Sequence, residues 1–286
     1  MKNPIIIIGS GRSGSTAFAR VLSNHGRLVY MSQLTSKLPG LLFLSRFYLR
    51  LTKFPIVGSG LRRVFKMAEA YSLWNIMAEN FARPRRNIDG NDVLAGDDET
   101  IRKTLDKLSV KKNSRLLIKI TGWPRIGYLL KVFPDAVFIN VIRDGRAVAN
   151  SLMNSDFWWG RKGPEGWRLG PLPEDQKKIY EKHGRSLTAL AGIYWNILMK
   201  ATEDDINRFK PSLINVRYED FCSNKIELMK KVCEFCNLDW SDRFEIGVTL
   251  KKLENNNFKW KMELDEKDRA ILNDVTLDWR KKLGYL

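Results

Sequence analysis

Four isoleucines in succession, Ile5 to Ile8, run directly into Gly9-Ser10-Gly11-Arg12-Ser13-Gly14-Ser15-Thr16, and this junction constrains the chain more than any other stretch. A β-branched run with no polar alternation is a strand buried on both faces, the pattern of a parallel sheet. Immediately afterwards the apolar residues Ala17, Phe18, Val21 and Leu22 fall at helical spacing. A strand therefore feeds a glycine-rich turn and then a helix. The first N–H groups of such a helix have no partner within it and point at the turn, which makes an anion cradle. The spacing Gly9 to Gly14 with Ser15-Thr16 matches the phosphate loop of nucleotide enzymes at every position but one. Where that loop carries its lysine this chain has Ser15, and the cation sits at Arg12 instead.

The rest of the chain alternates between the two periods. Strands are expected at Leu28–Met31, Leu116–Ile120, Ala136–Ile142 and Leu213–Tyr218. Helices are expected over 67–81, 99–108, from Pro124 to Pro134, after Arg143, and over 185–209, 225–236 and 265–282. Residues 87–98 and 156–173 read as loops by their turn chemistry. This alternation predicts a single α/β domain over residues 1–286, a three-layer sandwich with a mostly parallel central sheet and helices on both faces, P-loop-like, with ligands at the carboxyl ends of the strands.

Composition narrows the partners without choosing one. A formal charge of +17 suits a phosphate-rich cofactor, an acidic acceptor, nucleic acid or an anionic membrane surface. Residues 38–66 combine an apolar body with Arg46, Arg50 and Lys53 on one side, continued by Arg62, Arg63 and Lys66. Two readings stay open for this segment, peripheral contact with a membrane or acidic acceptor, and an ordinary surface helix with a solvated face. The apolar run from Pro4 to Ile8 is too short for a signal peptide, and no run of about 18 apolar residues occurs. Cys222, Cys233 and Cys236 are an odd, sparse set that reads as packed thiols in a reducing compartment, so a cytoplasmic location is expected.

Four pieces occur in a recurrent order: the loop from Gly9 to Thr16, Arg143 with Ser151, Val216-Arg217-Tyr218-Glu219-Asp220-Phe221, and Asn257-Phe258-Lys259-Trp260-Lys261. In this order the chain resembles the sulfotransferases that use 3′-phosphoadenosine 5′-phosphosulfate. The resemblance implies that Arg12, Ser13, Gly14, Ser15 and Thr16 hold the 5′-phosphate, that Arg143 and Ser151 hold the 3′-phosphate, and that Tyr218 and Trp260 wall the adenine. It also implies that Lys259 belongs to a closing loop and that Lys119 neutralises the leaving phosphate. The reaction implied is sulfuryl transfer to a hydroxyl or amine of a small-molecule, glycan or lipid acceptor, with no metal and no nucleic acid as partner.

The general base departs from the family pattern. Where the carbohydrate and tyrosyl branches carry a glutamate this chain has Gln33, and where the small-molecule branch carries a histidine it has Thr121. Neither takes a proton at neutral pH. Glu69 ranks first among the remaining candidates, ahead of Asp89, Asp92 and His183, on the reading that it lies in a helix beside Tyr71 and Trp74 where burial raises its pKa. Trp158, Trp159 and Trp167 with Arg161, Lys162 and Arg168 suit either an acceptor wall or a loop folded on its own aromatics. Two rival readings are a P-loop kinase, with Asp144 after the strand as its metal ligand, and a non-catalytic binder of nucleic acid or acidic polysaccharide.

Overall fold

The structure, a computed structural model, describes residues 1–54, 58, 60–61, 64–79, 81–82 and 84–286. Among these, five strands, β1 (Ile5–Ile8), β2 (Leu28–Tyr30), β3 (Arg115–Lys119), β4 (Val137–Ile142) and β5 (Ser212–Arg217), form one sheet in the order β2-β3-β1-β4-β5. Every neighbouring pair is parallel, as strands separated by helices must be. β1 is central and its four isoleucines are completely buried. Burial at this level stabilises by roughly 1.5–3 kcal/mol per side chain relative to exposure, which explains the unbroken apolar run.

From β1 the chain first builds one side of the sheet, β2 and then β3, before crossing to β4 and β5 on the other. The winding direction reverses beside β1, and a crevice opens outside the carboxyl ends of β3, β1 and β4. Helices surround the sheet. The longest, Leu187–Phe209, packs against the helix Gly145–Met153 that follows β4 and against the helix Glu266–Val275. A Cβ at Gly145 would lie 2.3 Å from the Trp195 ring, so only glycine lets these two helices approach this closely.

Several elements differ from expectation in their bounds. The helix expected over 67–81 is confined to Tyr71–Met77. Residues upstream of it are drawn into extended pairing with the end of β2, through Gln33 N–H to Lys66 O at 2.8 Å, Ala68 N–H to Met31 O at 2.9 Å, and an antiparallel bridge between Ser32 and Met67. Ala70 then turns the chain with a left-handed φ of 52°. The helix expected from Pro124 starts at Ile126, because Arg125 adopts φ 53°. The terminal helix divides at Thr276 into Glu266–Val275 and Leu277–Lys282.

The basic segment forms a helix over Leu42–Leu51 that buries Leu42, Ser45, Tyr48 and Leu49 and leaves Arg46 and Arg50 exposed together with Phe43 and Phe47. Lys53 does not join that face; its Nζ donates to Leu28 O at 2.5 Å. Arg62 and Arg63 lie outside the described residues. No helix among the described residues is long and apolar enough to cross a membrane. The cysteines are free thiols, and burial pushes those of Cys233 and Cys236 up to about 12, where they are inert.

Candidate active site

The loop after β1 is compact because its glycines admit close neighbours. A Cβ at Gly9 would stand 2.6 Å from Val141 O, and one at Gly14 would stand 2.2 Å from the Tyr218 ring. Ser13 N–H donates to Ser10 O at 3.2 Å, closing the turn, and Arg12 holds a left-handed φ of 69°. The helix Ser15–Leu22 follows with no side-chain cap and no acidic residue in its first turn. Its first amides therefore face the crevice with their partial positive charge unopposed. The hydroxyls of Ser10 and Ser13 are buried without a partner among the described residues, as befits a loop built around an oxyanion.

A cleft of about 500 Å³ at this loop is lined by Arg12, Thr16, Glu69, Lys119, Arg143 and Ser151 among others. Lys119 ends β3 and is only 6% exposed. Its Nζ donates to Thr16 Oγ1 at 2.9 Å and pairs with Glu69 Oε1 at 2.8 Å. Thr121 Oγ1 donates to the same carboxyl oxygen at 2.8 Å, and Tyr71 OH donates to Glu69 Oε2. The position two residues beyond Lys119, empty of a base in the sequence, is thus bonded directly to a carboxylate.

The physical ground for selecting Glu69 needs correction. It precedes the helix Tyr71–Met77 rather than lying within it. Burial, the largest single influence, does push its carboxyl up, but the charge and hydrogen bond of Lys119 together with the Tyr71 and Thr121 hydroxyls bring it below the ordinary carboxylate value. Glu69 is a buried carboxylate held ionised, with a cation in contact.

Arg143, 6% exposed, begins the turn after β4. Its Nε donates to Asn257 Oδ1 at 3.1 Å, Nη1 to Arg12 O at 3.1 Å and Nη2 to Asn256 O at 2.8 Å. These bonds fix the guanidinium plane and leave two of its five N–H donors for a ligand. Arg12 Nε donates to Ser151 Oγ at 2.9 Å, so the serine expected beside Arg143 is bonded to the loop cation. A second cleft of about 670 Å³ adjoins them, lined also by Tyr218, Asn256 and Lys259. Tyr218 lies under the Arg143 guanidinium, 4.5 Å from Cζ to ring centroid. Trp260 is not brought to either cleft. Its ring is buried and packs beneath Arg146 at 4.4 Å, which corrects its expected place beside the nucleotide.

The other base candidates lie elsewhere, each in a partnership of its own. Asp89 accepts from Arg208 Nη1 at 2.7 Å, Asp92 pairs with Arg86, and His183 Nε2 is 2.8 Å from Asp274 Oδ2. Gln33 accepts from the Lys66 amide at 3.3 Å. The tryptophan cluster divides by position: Trp158 and Trp167 are buried and Trp159 is 44% exposed with Lys162 and Arg168 over its ring. Together these three rings border an aromatic cavity of about 190 Å³, completed by Tyr71, Phe157 and Tyr194. Arg161 turns away to donate to Met153 O. This cavity shares Gly11, Tyr71, Thr121 and Phe157 with the anion cleft. Tyr71 and Arg125, which reasoning from sequence passed over, prove to be part of it.

The model of a family described as the sulfotransferase family matches residues 4–242. Among solved structures, the sulfotransferase STF9 of Mycobacterium avium superposes with a TM-score of 0.60 at 14% identity, covering 98% of this chain and 76% of that one. The sulfotransferase domain from the curacin biosynthetic pathway gives 0.51 at 12% identity, over 96% of this chain and 98% of that one. The sulfotransferase domain of the Synechococcus PCC 7002 olefin synthase gives 0.50 at 14% identity, over 96% and 95%. At such identities the likeness is one of fold. No curated protein sequence matches the chain.

Proposed function

This chain belongs to the sulfotransferase family, and on that premise we propose that it moves a sulfuryl group from 3′-phosphoadenosine 5′-phosphosulfate to a hydroxyl of a small molecule held in the aromatic cavity. The observation that carries this reading is the junction of two unlike compartments. An anion cleft with four cations, Arg12, Arg20, Lys119 and Arg143, opens onto an aromatic cavity, and Glu69 is bonded to both Tyr71 and Thr121 where they meet.

The donor supplies a sulfuryl group already activated by its bond to phosphate. The chain's residues do the rest. Amides of Ser13 to Thr16 and the Arg12 side chain hold the 5′-phosphate, while Arg143, Ser151 and Lys259 hold the 3′-phosphate, with Tyr218 beside the nucleotide. Lys119 neutralises the charge that grows on the leaving phosphate. As the acceptor oxygen bonds to sulfur, the bond from sulfur to the 5′-phosphate oxygen breaks and its electron pair leaves with the phosphate. Glu69 takes the acceptor's proton. Ser15 in place of a loop lysine, and a cation delivered from β3 instead, favour this over a kinase. The free thiols suit the cytoplasm.

Binding tests the donor site. 3′-phosphoadenosine 5′-phosphate is expected to raise the melting temperature well above the rise given by ATP at equal concentration, with or without a chelator. Arg143→Ala is expected to cost about 2 kcal/mol or more in affinity for that bisphosphate, removing most of the difference. Preference for ATP with magnesium, or unchanged affinity in folded Arg143→Ala, points to a different enzyme.

A second surface accompanies the site. Phe43 and Phe47, 66% and 59% exposed, flank exposed Arg46 and Arg50 on the helix Leu42–Leu51, a pairing that fits the interface of an anionic bilayer and no polar partner. The protein is expected to sediment with vesicles containing phosphatidylserine, and Phe43→Ser with Phe47→Ser to release it. Equal sedimentation with neutral vesicles, or none with either, removes the membrane reading.

A further inference from the structure

Three residues that line the aromatic cavity each carry a buried hydrogen-bond donor with no partner among the described residues. Arg125 is 3% exposed, and its Nε is buried without an acceptor. So is the indole N–H of Trp158, itself 6% exposed, and so is that of Trp123. All three residues line this one cavity, with Arg168 as a second guanidinium, and no carboxylate lines it among the described residues. Arg125 has few partners for a buried cation: Nη1 donates to Trp123 O at 2.9 Å, Tyr71 is a side-chain hydrogen-bond partner, and the guanidinium lies 5.3 Å from the Phe81 ring centroid. The Glu69 carboxylate, whose charge reaches Arg125, is in direct contact with Lys119 instead. An enclosed guanidinium that must share the charge of Glu69 with Lys119, beside two idle indole donors, is costly unless a further anion completes it.

The backbone holds this cation in place deliberately. Arg125 sits at φ 53° and ψ 28°, a left-handed conformation disfavoured for a side chain with a Cβ. Asn87 Oδ1 accepts its amide at 3.0 Å, and Asp205 Oδ2 accepts the next amide, from Ile126, at 3.0 Å. Asn87 Nδ2 in turn donates to Asp205 Oδ1 at 2.8 Å, locking the clamp. A buried carboxylate, Asp205, and a half-buried amide, Asn87, are thus spent on fixing the backbone at Arg125.

We propose that Arg125, aided by the Trp123 and Trp158 N–H groups, selects acceptors that carry an anionic group as well as the hydroxyl to be sulfated, with a carboxylate the best fit to the guanidinium fork. This inference rests on the sulfotransferase reading and specifies its acceptor. A cavity of about 190 Å³ that meets the anion cleft at Tyr71 and Thr121 admits one ring, so the acceptor is a compact hydroxyaryl carboxylate, its hydroxyl toward Glu69 and its carboxylate on Arg125.

The test compares isosteres with labelled donor: 4-hydroxybenzoate against 4-hydroxybenzamide, and 4-hydroxyphenylacetate against its amide. The carboxylates are expected to exceed the amides in kcat/KM by at least tenfold. Arg125→Met should bring that ratio to within about threefold of unity, and Arg125→Lys should retain part of it. In parallel, benzoate but not benzamide should stabilise the wild-type protein with bound 3′-phosphoadenosine 5′-phosphate, which decides the matter even where a variant fails to fold. Amides that match or beat the carboxylates overturn the assignment of Arg125 and leave the sulfotransferase reading standing. So does the absence of a benzoate response. Failure of the bisphosphate itself to bind is a different result, because it removes the donor site and the reading beneath it.

Discussion

Replacing Lys119 by methionine is expected to lower the single-turnover rate by about 10²- to 10³-fold, the scale on which removing one preorganised charge stabiliser from a transition state is felt. Lys119 contacts Thr16 of the loop and Glu69 in the same 3 Å shell, so it is the one cation placed between the phosphate cradle and the proton acceptor. Methionine keeps the length and apolar stem and removes the charge. The fold is expected to tolerate this because Glu69 can take up a proton: without the charge and hydrogen bond of Lys119, burial outweighs the Tyr71 and Thr121 hydroxyls and pushes its pKa up. The consequence is a reversal in the pH dependence of stability. In the wild-type protein the folded-state pKa of Glu69 is depressed, so its contribution is present above about pH 4.5 and is lost as pH falls through the folded value. In Lys119→Met the folded value is raised, so stability declines as pH climbs above about 4.5. Denaturation across pH 3–8 shows the reversal, and labelled-donor turnover shows the rate. A Lys119→Met enzyme within threefold of wild type removes Lys119 from the chemistry.

The phosphate loop and the sheet were legible because both are written locally. Ile5–Ile8 announces a strand buried on two faces, and the glycines at 9 and 14 announce a turn onto a helix, with no distant residue consulted. The strand end before Arg143 and the helix carrying Ser151 are written locally too, while the 3′-phosphate role expected of both came from the family resemblance. What escaped were features decided by non-local pairing. The helix read over 67–81 lost its first turn to the strand-like contacts of 66–68 with Met31 and Gln33, which no window around Glu69 reveals. Trp260 sits at the expected point of its motif, yet spacing along a loop does not fix where a ring points, and Arg146 captured it. Arg125 gave no signal beyond following Pro124; its meaning lies in the cavity assembled around it from four distant stretches. Thr121 shows the two levels meeting. Read along the chain it is a vacancy where a base is expected, and read in space it is bonded to Glu69, the base proposed above.

Glu69→Gln is therefore expected to slow the chemical step by roughly 10²-fold or more while leaving affinity for 3′-phosphoadenosine 5′-phosphate nearly intact. A carboxylate that is ionised by its lysine neighbour is by itself a poor base, since a depressed pKa weakens its hold on a proton. The same contact supplies the remedy. A Lys119 drawn toward the donor's phosphate is expected to leave the carboxylate without its largest compensating charge while its burial persists, which raises its proton affinity. Base strength is thereby linked to the presence of the donor. Glutamine preserves the shape and can still accept from Thr121 Oγ1, but it cannot take the proton. The decisive measurement is single-turnover rate against pH for both proteins with saturating donor. Loss of the acidic limb together with the rate identifies Glu69 as the base. Wild-type turnover in Glu69→Gln, with Lys119→Met still impaired, means instead that the acceptor arrives already ionised, and Glu69 serves only to hold Lys119 in place.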